Sequence, residues 1–140
     1  MADETDDKLA ASWHELMGRY NQLTCRLDRE LRAAHDLSSS EFEVLQQLAG
    51  ATNGKLKMAD LAEQVHLSQS ALSRLVSRLE SDGLVCRDMC IEDRRSVFAS
   101  ITAEGRKLYK AARPTQRAIL RDEAGECSQL ATGVLLPESN

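Results

Sequence analysis

The stretch from His66 to Leu84, HLSQSALSRLVSRLESDGL, restricts the folds open to this chain more than any other. Leu72, Leu75, Val76 and Leu79 stand at i, i+3, i+4 and i+7, the apolar stripe of a helix docked on a core. The opposite stripe is Ser70, Ser73, Arg74, Ser77 and Arg78. Solvated faces mix Lys, Glu and Gln. Short hydroxyls instead let a backbone approach a surface closely, and guanidinium groups can fork onto phosphates or a guanine edge. Ser68 is placed to cap the start of this helix, with Gln69 following it, and Asp82-Gly83 supplies a residue that tolerates positive φ at its end. A shorter helix, Met58 to Val65, precedes it with Leu61, Ala62 and Val65 on one face, and only His66 and Leu67 separate this helix from Ser68. Two helices so closely joined form a helix-turn-helix whose second member is the reader of a DNA groove.

Bulk charge does not announce a nucleic-acid binder, because 22 acidic against 18 basic residues leave a net charge of −4. Even locally, Arg74, Arg78, Arg87, Arg94 and Arg95 are matched by Glu80, Asp82, Asp88, Glu92 and Asp93. The position of the arginines carries the reading, not their sum. At 140 residues there is room for one domain, or for one domain plus dimerisation helices, and 42% apolar content suffices for a core. No run approaches the roughly 18 apolar residues that a membrane helix needs, and the acidic start is unlike a signal peptide. The expectation is a soluble, cytoplasmic chain.

In chain order, residues 1–8 read as an acidic tail. From Leu9 to Ala34, Leu9, Trp13, Leu16, Met17, Tyr20, Leu23, Leu27 and Leu31 recur at threes and fours, predicting one long amphipathic helix. At about 39 Å it outruns what so short a chain can cover, and a second subunit is the economical partner. Ser38 and Glu41 form a capping box, with Phe42 placed to staple onto Leu37, for a helix ending near Ala49. Lys55 to Lys57 reads as a short strand. Leu84 to Met89 and Ser96 to Ile101 read as a hairpin that forms a wing. Thr102 caps a helix that Pro114 kinks or ends; a second helical piece runs from Thr115 to Ala124, and the chain is short or frayed beyond Gly125. The division is therefore 1–8 tail, 9–36 N-terminal dimerisation helix, 37–101 winged helix-turn-helix domain and 102–140 C-terminal dimerisation helices. The fold class is mainly α, an α+β winged lobe between long terminal helices.

Three motifs in order and spacing then resemble the MarR family of winged helix-turn-helix regulators. They are Leu67 to Val76 followed by Leu79 to Arg87, then Asp93-Arg94-Arg95, then Ile101-Thr102-Ala103-Glu104-Gly105. The resemblance implies a homodimer on a pseudo-palindromic operator of double-stranded DNA, usually repressing transcription and often released by a small amphipathic effector or an oxidant. It implies Ser68 to Arg78 in the major groove, with Asp93 orienting a wing arginine and Arg95 entering the minor groove, where A·T tracts concentrate negative potential. Candidate DNA contacts are thus Ser68, Gln69, Ser70, Ser73, Arg74, Ser77, Arg78, Arg87, Asp93, Arg94 and Arg95. His66 departs from the pattern at a turn position where glycine is common, and Lys57 replaces the usual capping hydroxyl.

Blander readings stand beside these. A serine-rich helix face can be merely solvated, and Arg94 and Arg95 can simply pair with Glu92 and Asp93. Trp13, Met17 and Tyr20 read as packing, with an effector pocket as the sharper alternative. Without an export signal the four cysteines read as buried free thiols, and the sharper alternative is that Cys25 or Cys127 forms a redox disulfide across a dimer. No Gly-rich phosphate loop, Cys/His pair or metal motif is present, so neither an enzyme, a cofactor nor a metal site is expected. The non-enzyme rival to DNA binding is a winged helix that docks on protein.

Overall fold

The computed structural model describes residues 2–89 and 96–134, with side chains described for 3–89 and 96–123. Among the described residues five α-helices and three strands follow in the order α1 (Ala2–His35), α2 (Ser39–Ala49), β1 (Lys55–Lys57), α3 (Met58–Gln64), α4 (Gln69–Ser81), β2 (Val85–Met89), β3 (Val97–Ile101) and α5 (Ala103–Val134), with a short 3-10 turn, Thr52–Gly54, between α2 and β1. The strands form one antiparallel sheet in the order β1-β3-β2, with Leu56 opposite Ala99 and Arg87 also opposite Ala99 on the other side.

Local chemistry sets most of the boundaries. At α2 the Ser38 hydroxyl accepts from the Glu41 N–H at 3.0 Å while the Glu41 carboxylate accepts from the Ser38 N–H at 2.7 Å, so two orphan donors are satisfied reciprocally. Asp28 of α1 adds a third acceptor, for the Ser39 N–H at 2.6 Å, fixing α2 against α1. At α4 the Ser68 hydroxyl accepts from the Ala71 N–H at 3.1 Å. Helices α3 and α4 end alike. Leu67 N–H reaches the Ala62 carbonyl and Leu84 N–H the Leu79 carbonyl, while the residue before each, His66 at φ 60° and Gly83 at φ 77°, turns left-handed. Glycine takes that conformation freely, whereas His66 takes it against the Cβ penalty.

The core lies where α2, α3, α4 and the wing meet the C-terminal end of α1 and the first half of α5. Leu27, Leu31, Leu37, Phe42, Val44, Leu45, Leu48, Leu61, Leu72, Val76, Leu79, Val85, Ala99, Ala112 and Ile119 are buried in one cluster. Phe42 and Tyr109 sit with ring centroids 5.4 Å apart, joining α2 to α5. Thr102 knots the base of the wing: its hydroxyl donates to the Gly83 carbonyl at 2.8 Å and accepts from the Gly105 N–H at 3.0 Å, while its own N–H reaches the Leu84 carbonyl. Further out, Arg26 of α1 donates to Glu30 at 2.7 Å and to Asp122 and Glu123 of α5 at 2.8 Å each. Its hydrogen bond to Glu30, then those to Asp122 and Glu123, raise its pKa further, so it stays a fixed cation between the two helices.

Three expectations need correction. Residues 1–8 are not a tail, since α1 begins at Ala2; Asp3 and Glu4 stand in its first turn, where carboxylates complement the helix dipole. Pro114 neither ends α5 nor divides it from a second piece, and the helix continues past Gly125 to Val134. Ala112, Gln116 and Ile119 are buried on both sides of the proline, and His35 meets the Thr115 hydroxyl at 2.9 Å, so packing holds the turns that lack a backbone donor. Cys25 and Cys86 are exposed free thiols, not core residues. Cys25 faces outward on α1 between Leu23 and Leu27, which pack on the core, and Cys86 points away from Val85 on a strand whose faces alternate.

Candidate nucleic-acid interface

Helix α4 presents the predicted polar face to solvent. Leu72, Val76 and Leu79 are buried beneath it, and Ser68, Gln69, Ser70, Ser73, Arg74, Ser77 and Arg78 are all exposed. Arg74 has no hydrogen-bond or ion-pair partner among the described residues, which leaves a guanidinium on a 13-residue helix free to fork onto an external acceptor. Gln69 and Ser73 line a groove with Lys57, Met58 and Ala59 at the start of α3 and with Arg87, Ser96 and Val97 of the hairpin. Helix α4 and the β2–β3 hairpin therefore border one concave surface.

Two arginines on the candidate list are already engaged. Arg87 extends from β2 across α4: its Nη1 donates to the Ser77 hydroxyl at 2.8 Å, and its Nη2 to the Ser73 carbonyl at 2.6 Å and the Ser73 hydroxyl at 3.0 Å. Glu80 lies 3.4 Å from the same Nη1. Arg78 lies 3.4 Å from Glu41, a carboxylate only 4% exposed that also completes the α2 capping box. The reading helix is thus clamped from the wing side by Arg87 and towards α2 by Arg78. Arg87, a candidate DNA contact, braces α4 in this structure. Serine pairs four apart in the sequence gave no sign of it, because only the β2 register places the guanidinium over them. Glu41 was recognised as a capping residue, but not as an anchor for Arg78. Lys57 was noted only as a missing cap, which it is, since no side chain caps α3; the sheet is what brings it to the groove.

Asp93, Arg94 and Arg95, together with Cys90, lie outside the described residues, and the side chain of Cys127 does too. Trp13, Met17 and Tyr20 stand 62%, 42% and 67% exposed, and Leu9 65%, so within one chain they are not packed. Among the described residues no group of three His, Cys, Asp or Glu side chains is placed to hold a metal ion, and no helix is long and apolar enough to cross a membrane.

The MarR family profile matches residues 37–97, from just before α2 to the first residue of β3. An uncharacterised HTH-type transcriptional regulator from Bacillus cereus is 31% identical over 118 residues, spanning 84% of this chain and 75% of that protein. The chain belongs to the MarR family. Among solved structures, AbsC, a MarR family transcriptional regulator from Streptomyces coelicolor, superposes with a TM-score of 0.78 at 26% identity, covering 91% of this chain and 90% of its own. A second MarR family regulator from Streptomyces coelicolor, solved in complex with DNA, also gives 0.78 at 26% identity, over 96% of this chain and 90% of its own. The fold of this MarR-family protein is a DNA-binding winged helix, and its relatives are transcription regulators.

Proposed function

We propose that the protein is a homodimeric repressor that holds a pseudo-palindromic operator with α4 in the major groove and the wing in the adjacent minor groove. The observation carrying this reading is the division of α4, with Leu72, Val76 and Leu79 buried on one side and Gln69, Ser70, Ser73 and Arg74 exposed on the other beside the hairpin. A merely solvated helix would more simply carry Lys, Glu and Gln than small hydroxyls beside Arg74, whose guanidinium has no partner among the described residues. The second subunit is supported by α1, whose Leu9, Trp13, Met17 and Tyr20 form an exposed stripe at helical spacing. A partner chain covering that stripe would set two reading helices one helical turn apart, ~34 Å. Trp13, Met17 and Tyr20 would then line the interface, where a small amphipathic effector or oxidation at Cys25 or Cys127 could favour the DNA-free arrangement and so release the operator.

The test is a gel shift at fixed salt on the DNA upstream of the protein's own reading frame. Arg74→Ala is expected to weaken specific binding by about 1–3 kcal/mol, roughly 5- to 150-fold. Arg95→Ala is expected to weaken it through the minor groove. The rival reading, a winged helix that docks on protein, predicts no sequence-specific shift for the wild type.

A further inference from the structure

We propose that Arg87 sets the base preference of the reading helix without touching a base, by fixing Ser73 and Ser77 as hydrogen-bond donors. The inference rests on the DNA-reading function proposed above and names which base edges that face selects. A serine hydroxyl carries one proton and two lone pairs, so a free serine can read a donor or an acceptor equally well. Here a cation already donates into each: Nη2 into Ser73 at 3.0 Å and Nη1 into Ser77 at 2.8 Å. With N–H bonds and positive charge on the β2 side, the O–H protons are turned away from Arg87 and towards the exposed side of α4.

The usual local escape is closed for Ser77. A helical serine commonly donates back to the carbonyl four residues earlier, which here is that of Ser73. That carbonyl has two lone pairs; one takes the Ser77 N–H within the helix and the other takes Arg87 Nη2 at 2.6 Å. Among the described residues the Ser77 hydroxyl donates to no acceptor, which leaves its proton for an acceptor outside the protein. Glu80 lies against the same guanidinium and holds it over α4, and the Glu80 carboxylate also accepts from the Arg87 backbone N–H at 3.3 Å. In the major groove the acceptors are guanine N7 and O6, adenine N7 and thymine O4, and the donors are the amino groups of adenine and cytosine. Serines whose protons are aimed outward favour acceptor edges, guanine O6 and N7, thymine O4 or adenine N7, and with one lone pair already taken by Arg87 they are poorer partners for amino groups.

The test uses the full-length protein at one salt concentration. The operator selected by the wild type from random DNA is bound again as a panel of single-base-pair variants, by wild type, Arg87→Gln, Arg87→Lys, Ser73→Ala and Ser77→Ala. At one or two base pairs per half-site the wild type is expected to favour guanine or thymine over amino edges by ~10-fold. Ser73→Ala and Ser77→Ala should flatten the preference at those same base pairs, and Arg87→Gln should flatten both to within about 2-fold while the other positions keep theirs. Arg87→Lys, which can donate to one hydroxyl at a time, should retain part of the preference, and it decides the matter with the serine variants if Arg87→Gln unfolds. Replacing the selected guanine by 7-deazaguanine should weaken the wild type and leave Arg87→Gln unchanged. An equal loss on every sequence, with a shallower salt dependence, would mark Arg87 as a phosphate contact and overturn the inference. Retained preference in the Arg87 variants would overturn it too. If the wild type selects no sequence at all, the DNA-reading function itself falls, and that arm shows it before any variant is made.

Discussion

Replacing Gly105 by alanine adds one methyl group and should cost several kcal/mol, because there is no room for it. Gly105 is buried in the first turn of α5, and a Cβ there would lie 2.2 Å from the Leu84 carbonyl oxygen and 2.8 Å from Cγ1 of Ile101. Ordinary contact begins near 3.4 Å, so backbone must separate by about 1.2 Å, and the obstacle is a carbonyl, not a flexible side-chain tip. That carbonyl accepts from the Thr102 N–H at 3.1 Å. Moving it forfeits a hydrogen bond worth about 1 kcal/mol and adds overpacking of roughly 1–3 kcal/mol, together about 2–4 kcal/mol. Against a total stability of roughly 5–15 kcal/mol this is a large fraction, equivalent to a melting point lower by roughly 8–16 °C. Urea unfolding followed by circular dichroism, at equal protomer concentration, measures it. Gly50→Ala is the matched control: its Cβ would meet only ordinary contacts at 3.6 and 3.9 Å, and its φ of −85° suits alanine. That substitution should stabilise by roughly 0.4–1 kcal/mol through the unfolded chain. An unchanged midpoint for Gly105→Ala, or equal losses for both glycines, would refute the steric reasoning.

Other substitutions test separate joints. His66→Gly relieves a left-handed residue worth roughly 1–2 kcal/mol and returns roughly 0.5–1 kcal/mol in chain entropy, so denaturation should show a net gain of about 0.5–1 kcal/mol. Ser38→Ala removes one acceptor of the α2 capping box and should cost about 1 kcal/mol in the same assay, with no change in DNA base preference. Trp13→Glu combined with Tyr20→Glu places charge on the exposed stripe of α1 and should convert a dimer to monomers in sedimentation equilibrium. A dimer that persists would show that the second subunit docks elsewhere.

What could be read from the sequence follows the range of the forces involved. The α4 stripe, the Ser38–Glu41 box, the Ser68 and Thr102 caps and the turn at Gly83 depend on residues a few positions apart, and each stands where the spacing put it. Properties that depend on distant packing did not show. Pro114 breaks a local rule, yet α5 continues because buried neighbours on both sides hold it. The acidic start was legible as charge but not as a helix N-terminus, where Asp3 and Glu4 complement the dipole. The Thr102 to Gly105 motif was visible, but the reason for its glycine is the Leu84 carbonyl 18 residues earlier than Thr102 in sequence. Within the site, the exposed serines and Arg74 were legible from periodicity, whereas the recruitment of Arg87 required the β2–β3 register and that of Arg78 required α2 beside α4.

The most direct measurement is to let the purified protein select from random duplex DNA at physiological salt and to sequence what it retains. An inverted repeat, with half-site centres about one helical turn apart and one protein dimer bound per repeat, is the predicted result. No enriched sequence, or a single half-site bound by a monomer, would contradict a dimer that reads DNA with α4.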